Sequence, residues 1–122
     1  RPATVDDLAS HQLLRGHDVH GHPRRWWPRF DGGRVRVDGR FVTNDASLLR
    51  ATALGGLGIA LISDLNVGEA LLDGRLERVL PGVVGTRATV RLITARRDLL
   101  PARTRVVLDA VATHFQPIAS TR

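Results

Sequence analysis

Four groupings in the chain bring together residue types that can do chemistry. Thr43-Asn44-Asp45-Ala46-Ser47 sets short polar side chains where an apolar run hands over to a helical pattern. Asn44 and Asp45 can cap that helix, and the same corner, with its free N–H groups, can hold a carboxylate or hydroxyl of a small ligand. His17, His20 and His22 have a spacing that could offer ligands to zinc or nickel. Asp18 is the only carboxylate beside them, however, and Gly16, Gly21 and Pro23 loosen the segment, so a solvated loop without a metal is expected. Gly55-Gly56-Leu57-Gly58 has the look of a phosphate-binding loop. That loop needs a strand before it and a helix after it; here the order is reversed, and the glycines read as a helix stop. Arg24-Arg25-Trp26-Trp27 interleaves charge and aromatics as nucleic-acid grooves do. The expectation is instead that one Trp fills the core and the other covers a loop. No Gly-x-Ser-x-Gly elbow surrounds Ser10, Ser47, Ser63 or Ser120, and no two carboxylates are placed as acid and base. Catalysis is not expected.

The elements that would position these groups follow from periodicity and turn chemistry. Thr4-Val5-Asp6-Asp7 opens a short helix with a variant capping box, running to about Ser10 or His11. Gln12 to Arg15 reads as a strand and Gly16 to Pro23 as a loop. Arg25 to Phe30 is strand-like, but Pro28 confines it to an edge or bend. Asp31-Gly32-Gly33 turns the chain into an alternating strand around Val35 and Val37. A further strand is expected over Arg40 to Thr43, then a mostly buried helix from Ala46 to Leu54 stopped by Gly55-Gly56. Gly58 to Ile62 reads as a strand buried on both faces, and Ser63 caps a helix to about Leu72. Ala88 to Ala95 is expected to be a strand. Pro101 begins a last helix that buries Val106, Val107, Val111 and Phe115, with Pro117 after its end. Alternating strands and helices argue for an α/β fold with a mostly parallel sheet flanked by helices.

Composition narrows the function classes. At 122 residues there is room for one ordinary domain. The longest mostly apolar run, Ala51 to Ile62, spans 12 residues, against roughly 20 needed to cross a bilayer, so no membrane partner is expected. With no cysteine, disulfide and thiolate chemistry are excluded. The net charge of +6 comes from 18 arginines scattered from Arg1 to Arg122. No stripe or recognition helix collects them, and direct DNA contact by this segment is not expected. The chain lacks Met and begins Arg1-Pro2, so a piece of a longer polypeptide is expected.

Taken in order, several segments resemble one bacterial family. Pro2 to Leu14 is similar to a stretch with a proline, Asp-Leu, a His and an apolar strand. Trp27, Phe30 and Val35-Arg36-Val37-Asp38-Gly39-Arg40 follow. Then come Asn44-Asp45, Leu48-Leu49-Arg50-Ala51 and Gly55-Gly56-Leu57-Gly58-Ile59-Ala60, and finally Gly74 to Pro81 and Leu100-Pro101-Ala102-Arg103. This is the pattern of the effector-sensing domain of LysR-type transcriptional regulators. The chain departs from it at Ile62-Ser63, where the family commonly has an apolar residue and a proline, and at Leu13, where a cysteine is frequent. The resemblance implies a lobe like that of type 2 periplasmic binding proteins, with about Thr4 to Gly85 as the second lobe. Ala88 to Gln116 would return towards a first lobe whose beginning, like the winged helix-turn-helix and linker helix, is not in this chain. It also implies a cytoplasmic, non-enzymatic sensor of a small-molecule effector that needs no cofactor. The whole regulator would be a dimer or tetramer touching DNA only through its N-terminal domain. Arg15, His17, Thr43, Asn44, Asp45 and Ser63, near carboxyl ends of strands, would form the second-lobe wall of the effector site. The rival reading is a piece of a solute-binding protein of a transport system with the same two-lobed fold; an enzyme on that fold is a third.

Overall fold

The computed structural model describes residues 1–115. The expectations for Gln116 and Pro117 lie outside the described residues. The chain divides into two units, the first covering Arg1–Arg87 and the second beginning at Ala88.

The first unit opens with a 3-10 turn, Asp6–Ser10, rather than an α-helix. Half of the expected capping box forms. The Asp7 carboxylate accepts the N–H groups of Thr4 (2.8 Å) and Ala3 (2.9 Å), and these bonds hold its pKa below the ordinary aspartate value. Strand β1 is only Leu13–Leu14, and both side chains are buried. Trp26–Pro28 (β2) and Arg34–Arg36 (β3) form an antiparallel hairpin, Trp27 opposite Val35, joined through Asp31-Gly32-Gly33. Pro28 is tolerated because each strand of a two-stranded sheet is an edge. Helix α1 (Ala46–Leu54) leads to β4 (Ile59–Ala60), which pairs in parallel with β1 as Leu13 with Ile59 and Leu14 with Ala60. Helix α2 (Asp64–Leu72) follows, and α1 packs against β1, β4 and α2.

Pleating sends Leu13 and Leu14 to opposite faces of the sheet. Leu13 joins Leu8, Trp27, Val37 and Leu80 in the core. The two tryptophans divide as expected, Trp27 being 2% exposed and Trp26 45% exposed. Leu80, buried in this cluster, has a φ of +50°. Its carbonyl accepts the N–H groups of Val83 and Val84, and those bonds with the buried side chain hold a conformation leucine rarely adopts.

Five expectations are corrected. Arg40 to Thr43 is no full strand; it makes one parallel bridge, Val42 to Arg15, because the turn at Asp38-Gly39 leaves only its last residues beside β1. Gly58 to Ile62 is half-buried rather than fully buried, since among the described residues β4 has a neighbour on one side only. Helix α1 buries only Leu49 and Thr52, and Leu48 is exposed, because its apolar positions spread beyond the single face it packs. In the second unit, Ala88 to Ala95 holds no strand, for want of a partner strand among the described residues. A 3-10 turn, Arg97–Leu99, precedes helix α3, Ala102–Phe115. No α3 residue is buried: Val106 and Val107 are exposed, Val111 and Phe115 half-buried. An apolar stripe is buried only where another element covers it.

Candidate functional site

Three chain segments run in parallel and end along one edge. Arg15 donates its N–H to the carbonyl of Phe41 (3.1 Å) and accepts that of Thr43 (3.0 Å). On the other side of β1 lies β4. With β1 in the middle, its carboxyl end leads to Arg15 and His17, the neighbouring segment to Thr43, Asn44 and Asp45, and β4 to Ser63. The register therefore places all six candidate residues along the carboxyl edge, where α/β sheets take their ligands.

The helix starts at this edge are built from side chains. Asp45 Oδ1 accepts the N–H groups of Ser47 (2.7 Å) and Leu48 (3.1 Å), capping α1. Thr43 is buried, and its Oγ1 accepts the Asp45 N–H (3.0 Å), fixing the turn. Ser63 Oγ accepts the Leu65 N–H (3.3 Å) at the start of α2. Asn44 differs from these three. It is exposed, and among the described residues its side chain makes no hydrogen bond. The Thr43 and Asp45 side chains are engaged in holding the corner; Asn44 is free to meet something outside it.

His17 is half-buried, and its Nδ1 is buried without a hydrogen-bond partner. Arg15 turns aside: its Nε donates to the Gly39 carbonyl (3.0 Å). Arg15 also lines a recess with Arg25, Arg36, Val37 and Asp38. Arg36 was not singled out in the sequence, and Arg25 only as part of the Arg24-Arg25-Trp26-Trp27 motif. The turn at Asp31-Gly32-Gly33 was the available signal, because it fixes a hairpin that pairs these distant positions.

The histidine loop is organised by Asp18. Its Oδ1 accepts the N–H groups of His20 (2.9 Å) and His22 (3.0 Å). The bond from His22, with the smaller contribution from His20, lowers the Asp18 pKa against an opposing desolvation effect. Among the described residues no group of three metal-ligating side chains is assembled. A carboxylate whose pKa is depressed on folding contributes stability above its unfolded pKa and loses it as pH falls through the folded value. The 18–22 turn is therefore expected to persist below the ordinary aspartate titration range and to open at lower pH. Carbon NMR of the Asp18 carboxyl checks this; a midpoint at or above that of an unstructured aspartyl peptide would defeat it.

Comparison with known proteins gives a consistent picture. The family model described as "LysR substrate binding domain" matches residues 1–116. The chain is 32% identical over 82 residues to the HTH-type transcriptional activator AaeR of Escherichia coli (strain K12), covering 67% of this chain and 26% of that protein. It is 31% identical over 114 residues to the uncharacterized HTH-type transcriptional regulator YhjC of the same organism, covering 91% and 38% respectively. The regulatory domain of AphB from Vibrio vulnificus superposes with a TM-score of 0.68 at 28% identity, over 93% of this chain and 56% of that one. The chain thus spans well under half of the curated relatives it matches.

Proposed function

The chain belongs to the LysR substrate-binding domain family, and we propose that its carboxyl edge forms one wall of a small-molecule effector site in a transcriptional regulator. In this reading residues from about Thr4 to Gly85 are the second lobe of a two-lobed sensor, and those from Ala88 to Gln116 return towards a first lobe. The wall comprises Arg15, His17, Thr43, Asn44, Asp45 and Ser63. An effector that binds better when the lobes are closed shifts their relative position, and with it the geometry of a dimer or tetramer. DNA is touched by a separate helix-turn-helix domain, in the cytoplasm, and no reaction is catalysed. The similarity to the HTH-type transcriptional regulators AaeR and YhjC favours this over a transport solute-binding protein.

One observation carries the proposal. Asn44 stands exposed and unbonded between a buried Thr43 and a capping Asp45 on the carboxyl edge of the sheet. Asparagine there offers both a donor and an acceptor at no cost to the fold.

The two neighbours can be separated by experiment. Asp45→Ala is expected to cost about 0.5–2 kcal/mol of stability through loss of the α1 cap. Asn44→Ala should leave stability within about 0.5 kcal/mol, as for an exposed side chain without a partner. In the whole regulator, driving a reporter gene, Asn44→Ala should raise the effector concentration for half-response about threefold to tenfold, the worth of one hydrogen bond. Denaturant melts and reporter titrations read the two effects. A wild-type effector response in Asn44→Ala, Asp45→Ala and the double variant, all shown folded, would leave this corner a helix cap and nothing more.

A further inference from the structure

A second feature of the first unit lies to the side of that edge and shares only Arg15 with the proposed effector wall. Arg15, Arg25, Arg36, Val37 and Asp38 surround a recess of about 200 Å³. Its construction follows from the hairpin. The Val37 N–H donates to the Arg25 carbonyl (2.9 Å), next to the pair Trp26 and Arg36. Arg25 and Arg36 are thereby held at the open end of the hairpin. Arg15 reaches in from beyond β1, anchored by its bond to the Gly39 carbonyl.

Positive charge exceeds negative in this recess. Among the described residues Arg1, Arg29, Arg75, Arg78, Arg96 and Arg97 each pair with a carboxylate, but Arg15, Arg25 and Arg36 pair with none. Asp38, the one carboxylate in the lining, instead accepts the Gly39 N–H (2.9 Å). Three arginines and one aspartate line this small concavity, an excess of positive charge that favours an anion there. A larger recess of about 440 Å³, lined by Leu71, Gly74, Leu76, Glu77 and Arg78, lacks this property. Its Arg78 pairs with Asp64 and its Glu77 with Arg1.

We propose that the Arg15–Arg25–Arg36 recess binds a compact oxyanion, a carboxylate or phosphate group held by planar guanidinium forks. Arginine matches such oxygens bidentately, which lysine cannot. The volume is below the roughly 300–1,000 Å³ of a drug-sized pocket, so it admits a small anion, or the acidic end of a larger molecule, with its waters.

Calorimetric and NMR titrations of the 122-residue chain at fixed ionic strength test this, with inorganic phosphate and succinate as separate probes. Saturable one-site binding of at least one probe is expected, with shifts at the Arg25 and Arg36 amides. Phosphate alone would identify a phosphoryl ligand, succinate alone a carboxylate; either supports the site. The doubly substituted Arg25→Gln/Arg36→Gln chain, whose changes are both at exposed positions, should keep its melting temperature and bind at least about tenfold more weakly, as expected for lost charge-assisted bonds. Arg25→Lys should show an intermediate loss, because charge remains and the fork does not. Arg103→Gln, in the second unit, should change nothing. Absence of saturable binding by both probes, undiminished binding in the double variant, or an equal loss in Arg103→Gln would overturn the proposal. Asn44→Ala should bind both probes normally, so failure here and failure of the effector wall are distinguishable.

Discussion

Replacing Gly58 with Val is expected to destabilise the first unit by roughly 3 kcal/mol or more, the high end of overpacking effects. A Cβ at this position would run into the carbonyl oxygen of Gln12, and would lie 3.1 Å from that residue's carbonyl carbon and 3.2 Å from Leu14 Cδ2. The obstruction is backbone, so no rotamer change relieves it. The Gln12 carbonyl also accepts the Ile59 N–H at 2.9 Å, and moving it away gives up the first rung between β1 and β4. Leu14, the other neighbour, is 1% exposed and has no free space to retreat into. Alanine carries the same Cβ and should already be costly; valine adds two methyl groups to the same collision. Denaturant unfolding of the wild-type and substituted chains reads the effect directly. An unchanged unfolding midpoint for Gly58→Val would show that the strands approach less closely than the structure has them.

Trp27→Ala is expected to cost about 3–5 kcal/mol, as for large aromatic side chains removed from a packed core. Trp27 is enclosed with Leu8, Leu13, Val37 and Leu80, residues from four separate parts of the chain, so its loss opens a cavity that no single element can collapse to fill. Its indole Nε1 is buried without a hydrogen-bond partner. Trp27→Phe keeps a ring and deletes that orphaned N–H, whose burial costs about 1–3 kcal/mol, so the phenylalanine variant should lose much less than the alanine one. The adjacent Trp26 supplies the control. It is largely exposed and stacks under the Arg34 guanidinium, 5.2 Å from the ring centroid. Trp26→Ala should therefore forfeit only about 0.5–1 kcal/mol, the worth of an exposed cation–π contact. Equal losses at the two positions would contradict the division between core and surface.

Local chemistry was legible in the residues, and pairing was less so. Asp45 and Ser63 were readable as caps because capping uses side chains within three residues of the bonds they make. The carboxyl edge was legible for the same reason: a polar corner between an apolar run and a helical period needs no distant partner to be recognised. Strand extent and burial are different in kind. Arg40 to Thr43 and Ala88 to Ala95 have strand-like composition, but a strand exists only where a neighbour accepts its hydrogen bonds. Val106 and Val107 are apolar at helical spacing, and a stripe records the surface a helix is suited to rather than one that covers it. The arginine-lined recess could not be read from spacing, since Arg25 and Arg36 are brought near each other by the hairpin and Arg15 joins them from the end of β1. Leu80 shows the same limit at the backbone. Nothing in its side chain announces a positive φ, which is imposed by the turn that carries it into the core.

The central strand is two residues long, and the segments it pairs with are remote in sequence. Leu13 finds Ile59, Arg15 finds Val42, and glycines at 39 and 58 let the backbones close on either side. The hairpin and the two helices close over short distances and can form early, whereas the ladder around β1 must first meet the entropy of closing long loops. Contacts made after the folding barrier govern unfolding more than folding. If the ladder is that late event, Gly39 and Gly58 do little to hasten arrival at the native state. They set how long the molecule remains in it.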